Sequence, residues 1–353
     1  MLKLISIFVM LASTLSPQSQ YCQNELNEEE KETALQYQEA GLYNLDQVLG
    51  AEPIMVDVKI KWHIVSTTWG QRAIEKSTLH YYMEDLNAAF FPMGIRFVED
   101  PVIHYIVDDD LFVDVTDTWG LRFMSPLDGA INIYWAPSFI GGNLCGASSF
   151  TMMPYQGIVM QTTCLGYEDV SGILIHEVGH YFDLFHTHTF ECPAGNDCET
   201  QGDFVCDTPP SNNLFFHSCV DVETCGLWET YLSNGVPFRC ISAPHPKVCP
   251  EEIPYDPGIC LINYMSYVPP PCLQAFTLGQ RDRAKATYWN LRPELQNVPI
   301  PECVGDLTGD GHINGEDLSS LLGEWGEAGG DLDGDGFTDG ADLAIILNKW
   351  GEC

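Results

Sequence analysis

The chain has 353 residues, with 15 Lys plus Arg against 50 Asp plus Glu, a formal net charge of −35. A surface that acidic repels phosphate backbones and anionic lipid, which sets nucleic-acid and membrane-surface roles aside. At 45% hydrophobic and 11% aromatic the chain is not disordered, and its 14 cysteines point to an oxidising compartment.

In chain order, residues 1–3 are a short positive start, 4–15 are apolar and 16–20 are small and polar, the order of a secretory signal peptide over residues 1–20. The apolar stretch is too short to span a bilayer; a signal anchor is the alternative. Residues 21–50 are acidic and read as helical, either a pro-segment or a surface helix. Alternation around KIKWHIV predicts a strand over 54–65, followed by a helix over 77–91 and strands over 95–98 and 131–135. An edge strand able to pair with an extended peptide is expected within 147–160. Residues 192–272 are rich in Cys, Pro and Gly and read as irregular structure held by disulfides. A first domain is thus expected over 51–291, a linker over 292–302 and a small module over 303–353.

The segment ILIHEVGHYFDLFHTH carries a candidate metal site. His176 and His180 are four apart, so on a helix they stand one turn apart on one face, with Glu177 beside them. Two imidazoles need a third ligand, which His186 supplies if the chain turns back after the helix; His188 is the competing candidate. The turning position is Asp183, which reaches the left-handed region at a cost on the order of 1 kcal/mol. Three nitrogen ligands with an open fourth position and a nearby carboxylate are the parts of a zinc hydrolase. His63, His80, His104, His217 and His245 lack ligand spacing and read as structural.

With NYMSY at 263–267, GDFVCDTPP at 202–210 and FTLGQRDRA from Phe276, the chain over 54–292 resembles the pappalysin and cytophagalysin family of metzincin zinc peptidases. The resemblance implies a two-part domain split by a cleft whose floor is the zinc helix. It makes Met265 the methionine turn beneath the metal and gives Tyr267 an oxyanion-stabilising role, the alternative being a packed aromatic. It also implies calcium at Asp203 and Thr208 with backbone oxygens of Gly202 and Cys206, against a plain turn capped by Asp207. The resemblance makes Cys22 a candidate zinc-occupying latency cysteine, with a disulfide partner as the alternative, and implies that Cys272 ties back to the preceding irregular segment.

DLTGDGHINGEDLSSLLGEWG from Asp306 recurs as DLDGDGFTDGADLAIILNKWG from Asp331. Calcium-loop donors fall at Asp306, Thr308, Asp310, the His312 carbonyl and Asp317, then at Asp331, Asp333, Asp335, the Phe337 carbonyl and Asp342. Leu318, Leu321, Leu322 and Trp325 are expected to pack against Leu343, Ile346, Leu347 and Trp350, with Cys303 and Cys353 bracketing the module. The repeat resembles a type I dockerin, which implies a cohesin-like scaffold partner. Gly315, Glu316, Gly340 and Ala341 stand where cohesin binders carry hydroxyl groups, so a self-contained appendage is equally open.

The expected fold is α+β: a twisted, mostly parallel sheet with an active-site helix, an irregular disulfide-rich C-terminal subdomain, and a small all-α calcium loop-helix module. The expected function is a secreted, zinc-dependent endopeptidase acting on proteins or peptides. The alternative is a non-enzymatic extracellular binding or scaffold-docking protein with a vestigial peptidase fold.

Overall fold

A computed structural model describes residues 26–44, 55–139, 144–164, 167, 169–188, 198, 202–208, 220–227, 231–233, 236–238, 261–296, 305–308, 312–326, 330, 332 and 337–352. The signal-peptide expectation over 1–20 and Cys22 lie outside them, as do Asp310, Asp331, Asp333, Asp335, Cys303 and Cys353.

β1 (Val56–Ser66) is the spine of a six-stranded sheet. It pairs in parallel with β2 (Ile95–Glu99) and β3 (His104–Val107) on one side and with β4 (Ala130–Ala136) on the other. Beyond β4 come β5 (Gly146–Ser148) and β6 (Ile158–Gln161); β6 is parallel to β4, and β5 is the antiparallel edge strand. The strands expected over 54–65, 95–98 and 131–135 are present, and the edge strand starts one residue before the 147–160 window.

Alternation along β1 divides two cores, because successive side chains leave a strand on opposite faces. Val58, Ile60, Trp62 and Ile64 pack against Leu79, Met83 and Leu86 of α2 (Lys76–Phe90) and Leu174 and Val178 of α5 (Ser171–Tyr181). On the other face Val65, Tyr134 and Val159 pack with Val115, Leu121 and Phe139, around the short helices α3 (Asp109–Val113) and α4 (Thr118–Leu121). His63 also lies on this second face, its ring nitrogens 2.8 Å from His104 Nδ1 and 2.9 Å from Asn132 Oδ1, a satisfied structural histidine. Helix α6 spans Leu278–Leu291, opened by a Thr277–Gln280 capping box.

In the Cys-rich region the described strands are short pairs: β7 (Val220–Asp221) with β8 (Gly226–Leu227), and β9 (Tyr231–Ser233) with β10 (Val236–Phe238). Disulfides join Cys145 to Cys164, Cys198 to Cys206 and Cys225 to Cys272, so Cys272 does tie back into the irregular segment. Among the described residues no helix is long and apolar enough to cross a membrane.

Within 21–50, α1 (Glu28–Glu39) forms as expected, but it is docked: Leu26 and Ala34 join Phe150, Met153, Phe185 and Phe204 in a buried cluster. Within the 292–302 stretch expected as a linker, Arg292 and Leu295 are 2% and 1% exposed and packed into the domain.

The C-terminal module contains α7 (Gly315–Gly323) and α8 (Gly340–Asn348), each opened by a capping box, at Asn314–Asp317 and Asp339–Asp342. It is not purely helical, because β11 (His312–Ile313) pairs antiparallel with β12 (Gly351–Glu352). The expected mutual burial holds only for its inner half. Leu321 and Ile346 are buried with Ile313, whereas Leu322, Trp325, Leu347 and Trp350 are exposed. With only two short helices, one stripe of each meets the other and the next stripe faces outward.

Candidate metal centre

Helix α5 is apolar almost all round, and residues from Ile173 to Tyr181 are buried, so its two histidines and Glu177 sit inside the protein. The helix ends in a Schellman motif. Asp183 N–H donates to His180 O at 2.8 Å and Leu184 N–H to Gly179 O at 3.0 Å, with Asp183 at φ 55°. That left-handed residue turns the chain back and carries His186 to the pair on the helix.

The three Nε2 atoms converge. His180 lies 3.0 Å from His176 and 2.9 Å from His186, and His176 lies 3.2 Å from His186. His176 Nδ1 faces the Tyr264 carbonyl and His180 Nδ1 the Leu184 carbonyl at 2.7 Å, contacts that require N–H on Nδ1 and leave a lone pair on each Nε2. Burial pushes the His176 imidazole down to about 4, and burial followed by neighbouring imidazoles pushes His180 and His186 well below their ordinary value. At pH 7 the three imidazoles are therefore neutral, and their converging lone pairs are a donor set that a metal ion would fit. Zn–N bonds of about 2.0–2.1 Å in a tetrahedron set ligand nitrogens about 3.4 Å apart, so this triangle fits zinc. His188 stands outside it, stacked on His186 at 4.9 Å between ring centroids.

The floor under the site comes from two of the other sequence motifs, NYMSY and FTLGQRDRA. Asn263 Oδ1 accepts the Met265 N–H at 2.8 Å, and its amide pairs with Gln280 of the α6 capping box at 2.8 and 3.1 Å. Met265 is thereby held, fully buried, beneath Gly179. Thr187 N–H donates to Met265 O at 3.1 Å, tying the turn to the segment that carries His186. A Cβ at Gly179 would lie 2.6 Å from Met265 Sδ. Gly179→Ala gains about 1 kcal/mol in helix propensity but overpacks the site at a cost of about 1–3 kcal/mol. A lower Tm is the expected result; an unchanged or higher one would mean Met265 is not the fixed floor.

Glu177 is fully buried and leans toward the edge strand, where a Cβ at Gly146 would stand 2.7 Å from its Cγ. Tyr267 is also buried, its ring centroid 4.5 Å from His186 and 6.2 Å from His176. Nearby, Asp203 Oδ1 accepts from Thr208 Oγ1 at 2.6 Å and Val205 N–H at 3.1 Å, and burial pushes its carboxyl up to about 7. Asp207 Oδ2 accepts the Gly279 N–H of α6 at 2.9 Å.

In the module, Asp317 Oδ1 accepts from Thr308 N–H and Oγ1, and Oδ2 from Asn314 N–H, all at 2.9 Å. Burial works against its charge, but these hydrogen bonds outweigh it and hold the carboxyl below its ordinary value. Asp342 is held alike, by Leu332 and Asp339 N–H groups at 2.7 Å. Asp306 is half-buried, Thr308 is exposed and Phe337 is 62% exposed. The His312 ring meets His80 of α2, with Nε2 3.0 Å from His80 Nδ1.

Sequence reading missed Asn263, Gln280 and Arg283 as individual site residues. All three lie in the quoted motifs, but Gln280 and Arg283 belong to the polar run Gln280, Arg281, Asp282, Arg283, where nothing local signals burial. Arg283 is 3% exposed and donates to the carbonyls of Asp183 at 2.7 Å and Asp203 at 3.3 Å.

Fold and site together are those of a metalloendopeptidase, with a three-histidine centre suited to zinc. The family model described as Pregnancy-associated plasma protein-A, Peptidase M43, matches residues 143–288. An extracellular metalloprotease of Colletotrichum graminicola is 25% identical over 250 residues, 66% of this chain and 77% of the relative. One from Neurospora crassa is 24% identical, covering 69% of this chain and 80% of the relative. Among solved structures, a promirolysin mutant from Tannerella forsythia shares the fold at TM-score 0.56 and 17% identity, covering 78% of this chain and 97% of that one.

Proposed function

We propose that the protein is a secreted zinc endopeptidase that cleaves peptide bonds with an activated water. The observation that carries this reading is the triangle of three buried Nε2 atoms beside a buried Glu177. His176, His180 and His186 hold the metal. Bound there, zinc supplies a Lewis acid that polarises the scissile carbonyl and acidifies water. Glu177 takes a proton from the attacking water and delivers it to the leaving amine. Edge strand β5 accepts the substrate main chain as an added strand, with Gly146 leaving room beside Glu177. The Tyr267 hydroxyl donates to the oxyanion of the tetrahedral intermediate.

Export is supported by the signal-like residues 1–20 and by relatives named extracellular metalloproteases. Residues 51–296 form the peptidase unit, 297–302 the connection and 303–353 a calcium module that offers a docking face for a cohesin-like scaffold partner. Two loops with donors at calcium-ligand positions support the calcium reading, and exposed Leu322, Trp325, Leu347 and Trp350 support docking. A further calcium belongs at Asp203 and Thr208, where Asp203 Oδ2 is buried without a hydrogen-bond partner among the described residues.

The test is proteolysis of an unfolded protein. A zinc-selective chelator abolishes cleavage and added zinc restores it, whereas a calcium-selective chelator lowers Tm before it removes zinc. Cleavage that survives complete removal of zinc would sink the reading.

A further inference from the structure

We propose that the N-terminal segment 26–44 braces the third zinc ligand, with Tyr43 and Asp183 as positioning residues. This inference rests on the zinc reading of the three histidines.

Asp183 is fully buried at the left-handed turn, three residues after His180 and three before His186. Glycine would take that conformation without the cost of about 1 kcal/mol that a side chain incurs. The carboxylate offsets this with contacts that glycine could not make. Its Oδ1 accepts the Thr151 N–H at 2.8 Å, and its Oδ2 accepts the Thr151 hydroxyl and, at 3.3 Å, the hydroxyl of Tyr43. Its own carbonyl accepts Arg283 Nε at 2.7 Å.

Tyr43 is the far end of the docked segment. It is 7% exposed, and the Arg283 guanidinium lies over its ring at 3.7 Å and over Phe185 at 4.3 Å. Asn290 of α6 donates to the neighbouring Leu42 carbonyl at 2.7 Å. The segment is therefore fastened at the residue that decides where the chain goes between two ligands. A group that fixes how a ligand approaches the metal governs how readily the metal leaves.

Zinc release into excess chromophoric chelator, with Tm measured in parallel, tests this on the full chain. Asp183→Gly speeds release about tenfold and Tyr43→Phe about three- to tenfold, the lower end of effects for groups that orient ligands. Because the two residues act through one contact, adding Tyr43→Phe to Asp183→Gly produces no further change. Tyr37→Phe, which neighbours Tyr43 edge-on at 6.2 Å, leaves release unchanged and controls for general loosening of the segment. Unchanged release in Tyr43→Phe, additive effects, or an equal effect of Tyr37→Phe would each overturn the proposal, as would a mature chain that begins beyond residue 44 and holds zinc as tightly. Absence of zinc from the unaltered protein would overturn the metal reading together with it.

Discussion

Replacing Glu177 with glutamine lowers kcat/KM on an unfolded protein substrate by roughly 10²- to 10⁴-fold, the range for loss of a positioned general base. Zinc content and Tm stay near those of the unaltered protein. The substitution keeps the shape that fits against Gly146 and removes only the charge and the proton-accepting capacity. A loss of about 10³-fold corresponds to about 4 kcal/mol of transition-state stabilisation. With the three imidazoles as the proposed ligand set, zinc content is expected not to depend on this carboxylate. Parallel loss of zinc and activity would assign Glu177 to the ligand set, and retained activity would remove it from the mechanism.

Arg292→Ala destabilises the protein by about 3–5 kcal/mol, read as a lower urea midpoint at unchanged slope. The guanidinium is 2% exposed and donates to Tyr181 O at 3.0 and 2.7 Å, to Ser149 O at 3.3 Å and to Gln156 Oε1. It also lies over the Tyr181 ring at 3.7 Å. Tyr181 is the last residue of the zinc helix, and carbonyls there have no partner within the helix. A positive charge at that end also complements the helix dipole. Truncation to alanine strips the guanidinium from two buried carbonyls at about 1–3 kcal/mol each and opens a gap beside Tyr181. A loss below about 1 kcal/mol would instead make residue 292 the start of a linker, as its proline-bearing sequence suggests.

That boundary illustrates what the sequence carries and what it omits. Pro293 and the polar residues around it look like a connector, and nothing local records that the Arg292 head group closes a helix more than a hundred residues earlier. The zinc helix was legible because both its ligands and its turn are local: i, i+4 spacing places His176 and His180, and Asp183 tolerates the left-handed turn that brings in His186. β1 was legible by alternation, since its faces meet different cores. The link from Asn263 to Gln280 was not, because a buried amide pair across 17 residues leaves no periodic trace. In the module, apolar spacing correctly gave two helices but overstated their burial. Periodicity identifies an apolar face without saying whether the partner is wide enough to cover it, and Trp325 and Trp350 lie beyond that width.

Metal analysis of the purified chain, with a crystallographic anomalous-difference map at the zinc edge, tests the central claim most directly. One zinc is expected at the centre of the three Nε2 atoms, lost on His186→Ala and kept in Glu177→Gln. A folded protein with no transition metal there, or with His186 turned away from the other two rings, would contradict it.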